Sequence, residues 1–506
     1  MNTTRGGFAA LRNGASLPWR EVPALPLANL QDAVAAAIDD ELRLAALFAL
    51  QRAGEREKRL VAVLADDADG RLLMAAAPLP GPTFPALTTR SAQAHLFERE
   101  IHEQFGLLPA GHPWCKPVRF ERRLGDASAA APPIGATDFY RIAGDAIHEV
   151  AVGPVHAGVI EPGHFRFQCH GEHVFHLEIS LGYQHRGVET ALLAGPHRTS
   201  LAQIETLAGD TTVGHALAYC QNLEALAALR VSGHDHVVRA IALELERLAN
   251  HTGDLGALAS DVGYLPTASF CGRLRGDFLN LSALLCGSRF GRGLVRPGGA
   301  RFPLDAGRIG SLRERLADAR RDVTQAVGLL WVTPSVVARF EDTGTVSAAT
   351  GTLLGLVGPA ARASGIEIDV RAHYPTGAYC FVQQPIATAH TGDVHARAFV
   401  RGLEIQRSMN LIDDLLSMLP PPGAPPQPVT GALRGDHVAV TLVEGWRGEL
   451  CHVASTGPDG RFDRYKIVDP SFHNWAGLAM ALRDQQISDF PLCNKSFNLS
   501  YCGHDL

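Results

Sequence analysis

No two of the nine cysteines stand in a Cys-x-x-Cys spacing, and their number is odd. That disfavours a disulfide framework, a zinc ribbon and a ferredoxin-type iron–sulfur motif. Buried free thiols in a reducing compartment are the reading that follows. No uninterrupted apolar run reaches about 18 residues, so no transmembrane helix is expected. The opening Met1-Asn2-Thr3-Thr4-Arg5-Gly6-Gly7 has no signal-peptide core. An excess of positive charge is also missing: the net charge of −6 excludes a general nucleic-acid binder. Any membrane association must come through partners.

What remains is 506 residues, 46% hydrophobic, enough for two domains or more. Residues 30–53 carry apolar positions at helical spacing and predict a helix. Residues 59–64 and 71–76 are strand-like runs about the turn Asp69-Gly70, and 91–105 predicts a helix. The Pro/Ala/Gly-rich stretch 126–136 reads as a connector. Two strands follow, 164–168 and 173–179, about Gly171-Glu172. Long helical patterns cover 199–230, 235–258, 273–286, 312–330 and 394–419, and the first two are expected to pack antiparallel in a core. The proline-rich run 420–428 reads as an extended linker. Residues 438–443, 449–454 and 464–468 read as sheet strands, and the end as a helix and an extended tail.

Six ordered blocks carry a resemblance. Glu98-Arg99-Glu100-Ile101-His102-Glu103-Gln104-Phe105-Gly106, with Gly111-His112-Pro113, resembles the signature of the C component of NADH-quinone oxidoreductase. Residues 153–167, Gly182–Glu189 with its Arg-Gly-x-Glu, Glu244–His251, Gly358–Gly365 with Asp369 and Arg371, and Glu444-Gly445-Trp446-Arg447-Gly448-Glu449 resemble the D component. They equally resemble the large subunit of nickel–iron hydrogenases, above all the membrane-bound, hydrogenase-4-like kind related to complex I. The resemblance implies an α+β fold class: a small mixed domain over 1–122, a linker over 123–135, and a large mainly helical domain with peripheral antiparallel sheets over 136–506.

In that family two Cys-x-x-Cys pairs hold nickel and iron, because soft thiolates select those metals. The matching positions here are Ala208, Thr211, Ser500 and Gly503; two have no ligand atom, two offer hydroxyls, and Cys502 is one residue out of place. The resemblance therefore implies a hydrogenase fold without its nickel–iron centre. In the D component of complex I the vacated cavity takes a quinone headgroup between a tyrosine and a histidine. The tyrosine position is Gly209 here; the histidine has a counterpart in His164, with His156 on the same loop. Asp210 is new to the cavity and needs a partner; His215, about a turn on, and Arg447 are the candidates. Glu189 corresponds to the proton-relaying glutamate of hydrogenases. The expected site is Glu189, Asp210 and Arg447 in a cavity bordered by His156, His164, Ala208, Thr211, Ser500 and Gly503, with no metal.

Two functional readings follow. One is a peripheral subunit of a complex-I-like oxidoreductase that couples electron transfer, with a quinone as candidate acceptor, to ion translocation. The other is a non-redox scaffold whose salt bridges fill a defunct site; an active hydrogenase is the weaker third. The implied partners are a small iron–sulfur subunit with a 4Fe–4S cluster, a ferredoxin-like iron–sulfur subunit and antiporter-like membrane subunits, on the cytoplasmic face of the membrane.

Overall fold

Residues 43–51, expected as the second half of a helix, form a strand. A computed structural model describes residues 4–52, 54–55, 57–124, 130–158, 160–423 and 432–506. Residues 125–129 of the expected linker, Val159 of the opening loop and 424–428 of the proline-rich run lie outside the described residues. The first helix, Leu27–Asp39, ends at the consecutive acids Asp39, Asp40 and Glu41, the last in a left-handed conformation. Beyond it Leu44 to Leu50 are apolar on every side. A surface helix needs a polar stripe that this run does not offer, whereas a strand covered on both faces suits it. Arg43–Gln51 closes one edge of an antiparallel sheet beside Lys58–Asp66 and Arg71–Leu79, and the His95–Phe105 helix and the Phe462–Val468 strand pack against it.

The N-terminal part is stitched into the C-terminal sheet. Ala15–Pro18 pairs antiparallel with the His437–Gly445 strand, Leu17 opposite Val438, and becomes the fourth strand beside Gly448–Thr456 and Phe462–Val468. Trp19 is buried against the same sheet, and its indole Nε1–H donates to Ser455 Oγ at 2.9 Å. Apolar side chains of residues 8–118 share one hydrophobic core with Val438, Val440, Val453 and Phe472.

The larger core is helical. Gly233–Asp261 packs chiefly on Leu265–Cys286 and Val394–Ser417, and the expected 199–230 helix gives it only slight contact. That helix is two pieces, Ser200–Ile204 and Thr212–Ala227, and the second packs mainly on the C-terminal strands. The chain leaves the helix over 205–211, where Gly209 and Asp210 have low helix propensity. Thr212–Ala227 restarts under a borrowed cap. Glu246 of the neighbouring helix accepts from the amides of Val213, at 2.7 Å, and Gly214, at 3.2 Å. Those are donors that a helix start leaves open.

The tail is not extended. Phe490–Phe497 is helical, Asn498 breaks it at φ 45°, and Tyr501–Asp505 forms a last turn capped by Ser500 Oγ, which accepts from Gly503 N at 2.9 Å. Asp505 accepts from the amides of Gly182 and Gln184, both at 2.8 Å, and pins the tail beside the Arg-Gly-x-Glu segment. Among the described residues no single helix is long and apolar enough to cross a membrane.

Candidate functional site

The non-helical 205–211 segment, the Gly445–Gly448 hairpin turn and the tail meet at Arg447. Its guanidinium makes a two-pronged pair with Asp210, Nη1 to Oδ1 at 2.6 Å and Nη2 to Oδ2 at 2.7 Å. Nε donates to the carbonyl of Asn498 at 2.5 Å, and the group lies 4.0 Å from the Trp446 ring centre. Trp446 Nε1 and Asn250 Nδ2 both donate to the Asp210 carbonyl, at 2.9 and 2.8 Å. Every prong is fixed, so Arg447 ties the two segments whose counterparts would carry metal ligands. Burial opposes the Asp210 charge, but Arg447 outweighs it and holds the carboxyl below its ordinary range; Asp210 pushes Arg447 up in turn against its own burial. The Asp210 side chain remains 32% exposed.

The structure brings Ala208, Thr211, Ser500 and Gly503 to this place and leaves them without a donor set. Ala208 is fully buried. Thr211 Oγ1 lies 3.3 Å from Asp210 Oδ1 and 3.4 Å from Arg447 Nη1. Ser500 Oγ is spent on its cap and lies 3.4 Å from Cys502 Sγ. A Cβ placed on Gly503 would stand 2.7 Å from the Asp469 carboxyl, closer than side-chain contacts allow, so not even a cysteine fits without displacing that aspartate. Hydroxyls and a methyl do not suit nickel and iron. Among the described residues no three His, Cys, Asp or Glu side chains converge as metal ligands. These positions offer none of the thiolates that hold nickel and iron in the resemblance. The space beside Asp210, between Glu246, Asn250, Leu279 and Phe290, is about 10 Å³. That is at most one water.

His215 is not the partner of Asp210. Its Nε2 meets Asp469 Oδ2 at 3.1 Å and its Nδ1 meets His452 Nε2 at 3.0 Å; His452 Nδ1 in turn meets the Tyr465 hydroxyl at 3.1 Å. Burial holds His452 well below its ordinary range, so it is neutral. The loop histidines serve their own loop. His156 Nε2 bonds the Gly163 carbonyl at 2.7 Å, and His164 Nδ1 bonds the Gly153 carbonyl at 3.0 Å.

Glu189 belongs to a second buried cluster. Lys466 Nζ and Arg464 Nη1 each stand 3.0 Å from its carboxylate, and Ile467 N donates at 2.9 Å. Burial works against its charge, but Lys466, Arg464 and Arg119 together hold it far below the usual glutamate range. It is an anchored anion, the opposite of a group poised to pass protons near neutral pH. Blocks 244–251 and 358–371 meet in a third buried network, where Arg362 joins Glu404 at 2.5 Å and Glu444 at 2.8 Å, and Arg371 joins Glu244 and Asp369.

Four residues that sequence reasoning passed over border the Asp210 site. Glu161, from the opening loop, faces Cys502, whose amide lies 3.4 Å from its Oε2; burial raises the Glu161 carboxyl, while Arg447 draws it down. Asp469 underlies Gly503, Glu246 caps the restarted helix, and Asn250 holds the Asp210 carbonyl. Glu161, Glu246 and Asn250 fall inside the blocks that carry the resemblance, so position was the available signal; Asp469 had none.

The chain is similar to proteins of one lineage. The family described as respiratory-chain NADH dehydrogenase, 49 Kd subunit, matches residues 261–429. The carbon monoxide-induced hydrogenase of Rhodospirillum rubrum is 31% identical over 355 residues, 69% of this chain and 97% of that protein. Hydrogenase-4 component G of Escherichia coli is 27% identical over 475 residues, 90% of this chain and 80% of its own. NADH-quinone oxidoreductase subunit 4 of Thermus thermophilus is 29% identical over 369 residues, 67% and 89% of the two chains. With the Arg-Gly-x-Glu segment, the opening loop and the Arg447 turn converging as described, the chain belongs to the complex-I-related family that joins these hydrogenase large subunits to the matching subunits of NADH-quinone oxidoreductases.

Proposed function

We propose that this chain is a peripheral-arm subunit of a complex-I-like, membrane-bound oxidoreductase, works without a nickel–iron centre, and helps couple electron transfer elsewhere in the complex to ion translocation by membrane partners. The observation that carries this reading is the two-pronged Arg447–Asp210 pair standing where the relatives' metal ligands would be. A charge pair that ties two segments can transmit a displacement or a change in local charge; it cannot activate hydrogen. Relatives named as a membrane-bound hydrogenase subunit alpha and as NADH-quinone oxidoreductase subunits support the assignment to a membrane-associated assembly. The exposed flank of Asp210 together with Glu161 is the face we assign to a small 4Fe–4S partner. A ferredoxin-like iron–sulfur subunit and antiporter-like membrane subunits complete the assembly, with this chain on the cytoplasmic face. A quinone-type acceptor would bind at the face shared with a partner subunit.

The scaffold reading is favoured by one observation, the neutralised Glu189 cluster, which joins elements without leaving a group free to exchange protons. Purification of the native complex, with metal analysis and cofactor extraction, tests the proposal. Iron in the partner subunits, no stoichiometric nickel and an extractable redox cofactor are expected. One nickel per chain would overturn it, and a complex with no redox centre in any subunit would leave only the scaffold.

A further inference from the structure

A second, larger space lies away from Arg447 and has no part in the reading above. It is a cavity of about 730 Å³ between the His95–Phe105 helix, the 112–118 loop, the His173–Ser180 strand and the Pro470–Ala481 helix. That is within the roughly 300–1,000 Å³ typical of small-molecule sites. Its walls are largely apolar, with Leu96, Leu177, Leu181, Trp475 and Met480 among them.

On the helix wall, Arg99 makes no ion pair among the described residues. Arg99 donates from Nε to the Lys116 carbonyl and from Nη2 to the Pro117 carbonyl, both at 2.8 Å. Neither acceptor is charged, and among the described residues Nη1 has no acceptor. The acids within electrostatic reach are committed elsewhere. Glu103 accepts from the amides of Val118, Arg119 and Glu121, and Glu178 is taken by Lys116 Nζ at 2.7 Å and the Tyr140 amide at 2.8 Å. Burial depresses the Arg99 guanidinium to about 10, and Glu103, Cys115 and Glu178 only partly restore it. The neighbouring His95 and His112 are held neutral, chiefly by burial. On two further walls His176 Nε2 and Trp475 Nε1 are buried without a hydrogen-bond partner. A half-buried cation held only by carbonyls retains an unmet preference for a direct counter-charge, and an anion that brings its own apolar body meets it.

We propose that this cavity binds a small amphipathic monocarboxylate, its carboxylate on Arg99 Nη1 and its apolar body along Leu96, Leu177, Leu181 and Trp475. The negative charge of the ligand meets Arg99, and the exposed Arg483 at the rim adds a second positive group. A chain of about ten carbons fits the volume class.

Calorimetric titration of the full chain with decanoate and with decanol, below their aggregation thresholds, tests this. Saturable binding of one decanoate per chain is expected, with decanol at least tenfold weaker. Arg99→Gln should bring the two ligands to equal affinity. Ala479→Phe, which fills the cavity from its helix wall and leaves Arg99 intact, should abolish both, and decides the matter if Arg99→Gln does not fold. No saturable decanoate binding, equal affinity for decanol in the unaltered chain, an undiminished preference in Arg99→Gln, or unchanged binding in Ala479→Phe would each overturn the proposal.

Discussion

Asp210 and Arg447 are a matched pair in which each makes sense only through the other. Arg447→Met strands the Asp210 carboxylate and frees the Asn498 carbonyl. The carboxylate is 32% exposed, so water takes up part of the loss. A cost of about 1–3 kcal/mol in urea denaturation is expected rather than the larger figure of a sealed pair. Asp210→Asn keeps the shape and removes the charge; in the intact complex it should lower turnover without loosening assembly, and unchanged turnover would favour the scaffold. The Cβ of Gly503→Cys must push the Asp469 carboxyl away. That substitution should be destabilising by about 1–3 kcal/mol. Glu246 supplies a pH signature. Burial, opposed by the amides of Val213 and Gly214, raises its carboxyl to about 8. The folded state then holds a proton that the unfolded chain has released, so stability falls as pH rises from the ordinary glutamate range to about 8. Glu246→Gln should flatten that fall; parallel pH profiles for the two proteins would refute the assignment. The residues of this site were legible where a motif fixed them, as with Arg447 and Ala208. The partner of Asp210 was half legible: Arg447 and His215 were both in view, and only the fold shows that His215 turns to Asp469 and His452.

At the scale of elements, what the sequence revealed depended on where each element's contacts lie. The 164–168 and 173–179 strands and the 235–258 helix were visible because their alternation or helical period is written within the segment. The 43–51 strand was not, because an all-apolar run takes its conformation from what covers it, and the cover comes from the His95–Phe105 helix and from the distant Phe462–Val468 strand. The break at 205–211 was hidden for a similar reason: the cap that restarts the helix, Glu246, lies in another helix. The Glu189 cluster links elements in the same manner, joining Phe462–Val468 to the His95–Phe105 helix through Lys466, which also reaches Glu100 at 2.6 Å. Glu189→Gln therefore leaves Lys466 and Arg464 short of a buried counter-charge. A stability loss of about 3–5 kcal/mol is expected, seen as a lowered denaturation midpoint in the isolated chain before any change in electron transfer; an unaltered midpoint would return Glu189 to the role of proton carrier.

For the whole molecule, the seam at Ala15–Pro18 matters more than the boundary near residue 122. Trp19→Ala removes a buried indole from that seam and should cost about 3–5 kcal/mol, with both parts unfolding in one transition if the shared core couples them; two separated transitions, one unaffected, would show independent domains. The seam also sets a clock for synthesis. Trp19 and its partner Ser455 are 436 residues apart. At about 5–20 residues per second the ribosome takes roughly 20–90 s to deliver the second after the first. For that interval the Ala15–Pro18 strand has no partner strand, and Leu17 and Trp19 lack the cover of the C-terminal sheet. A nascent chain with a bare strand edge invites other chains to pair with it, so this protein should draw on ribosome-associated chaperones for longer than its length alone would require.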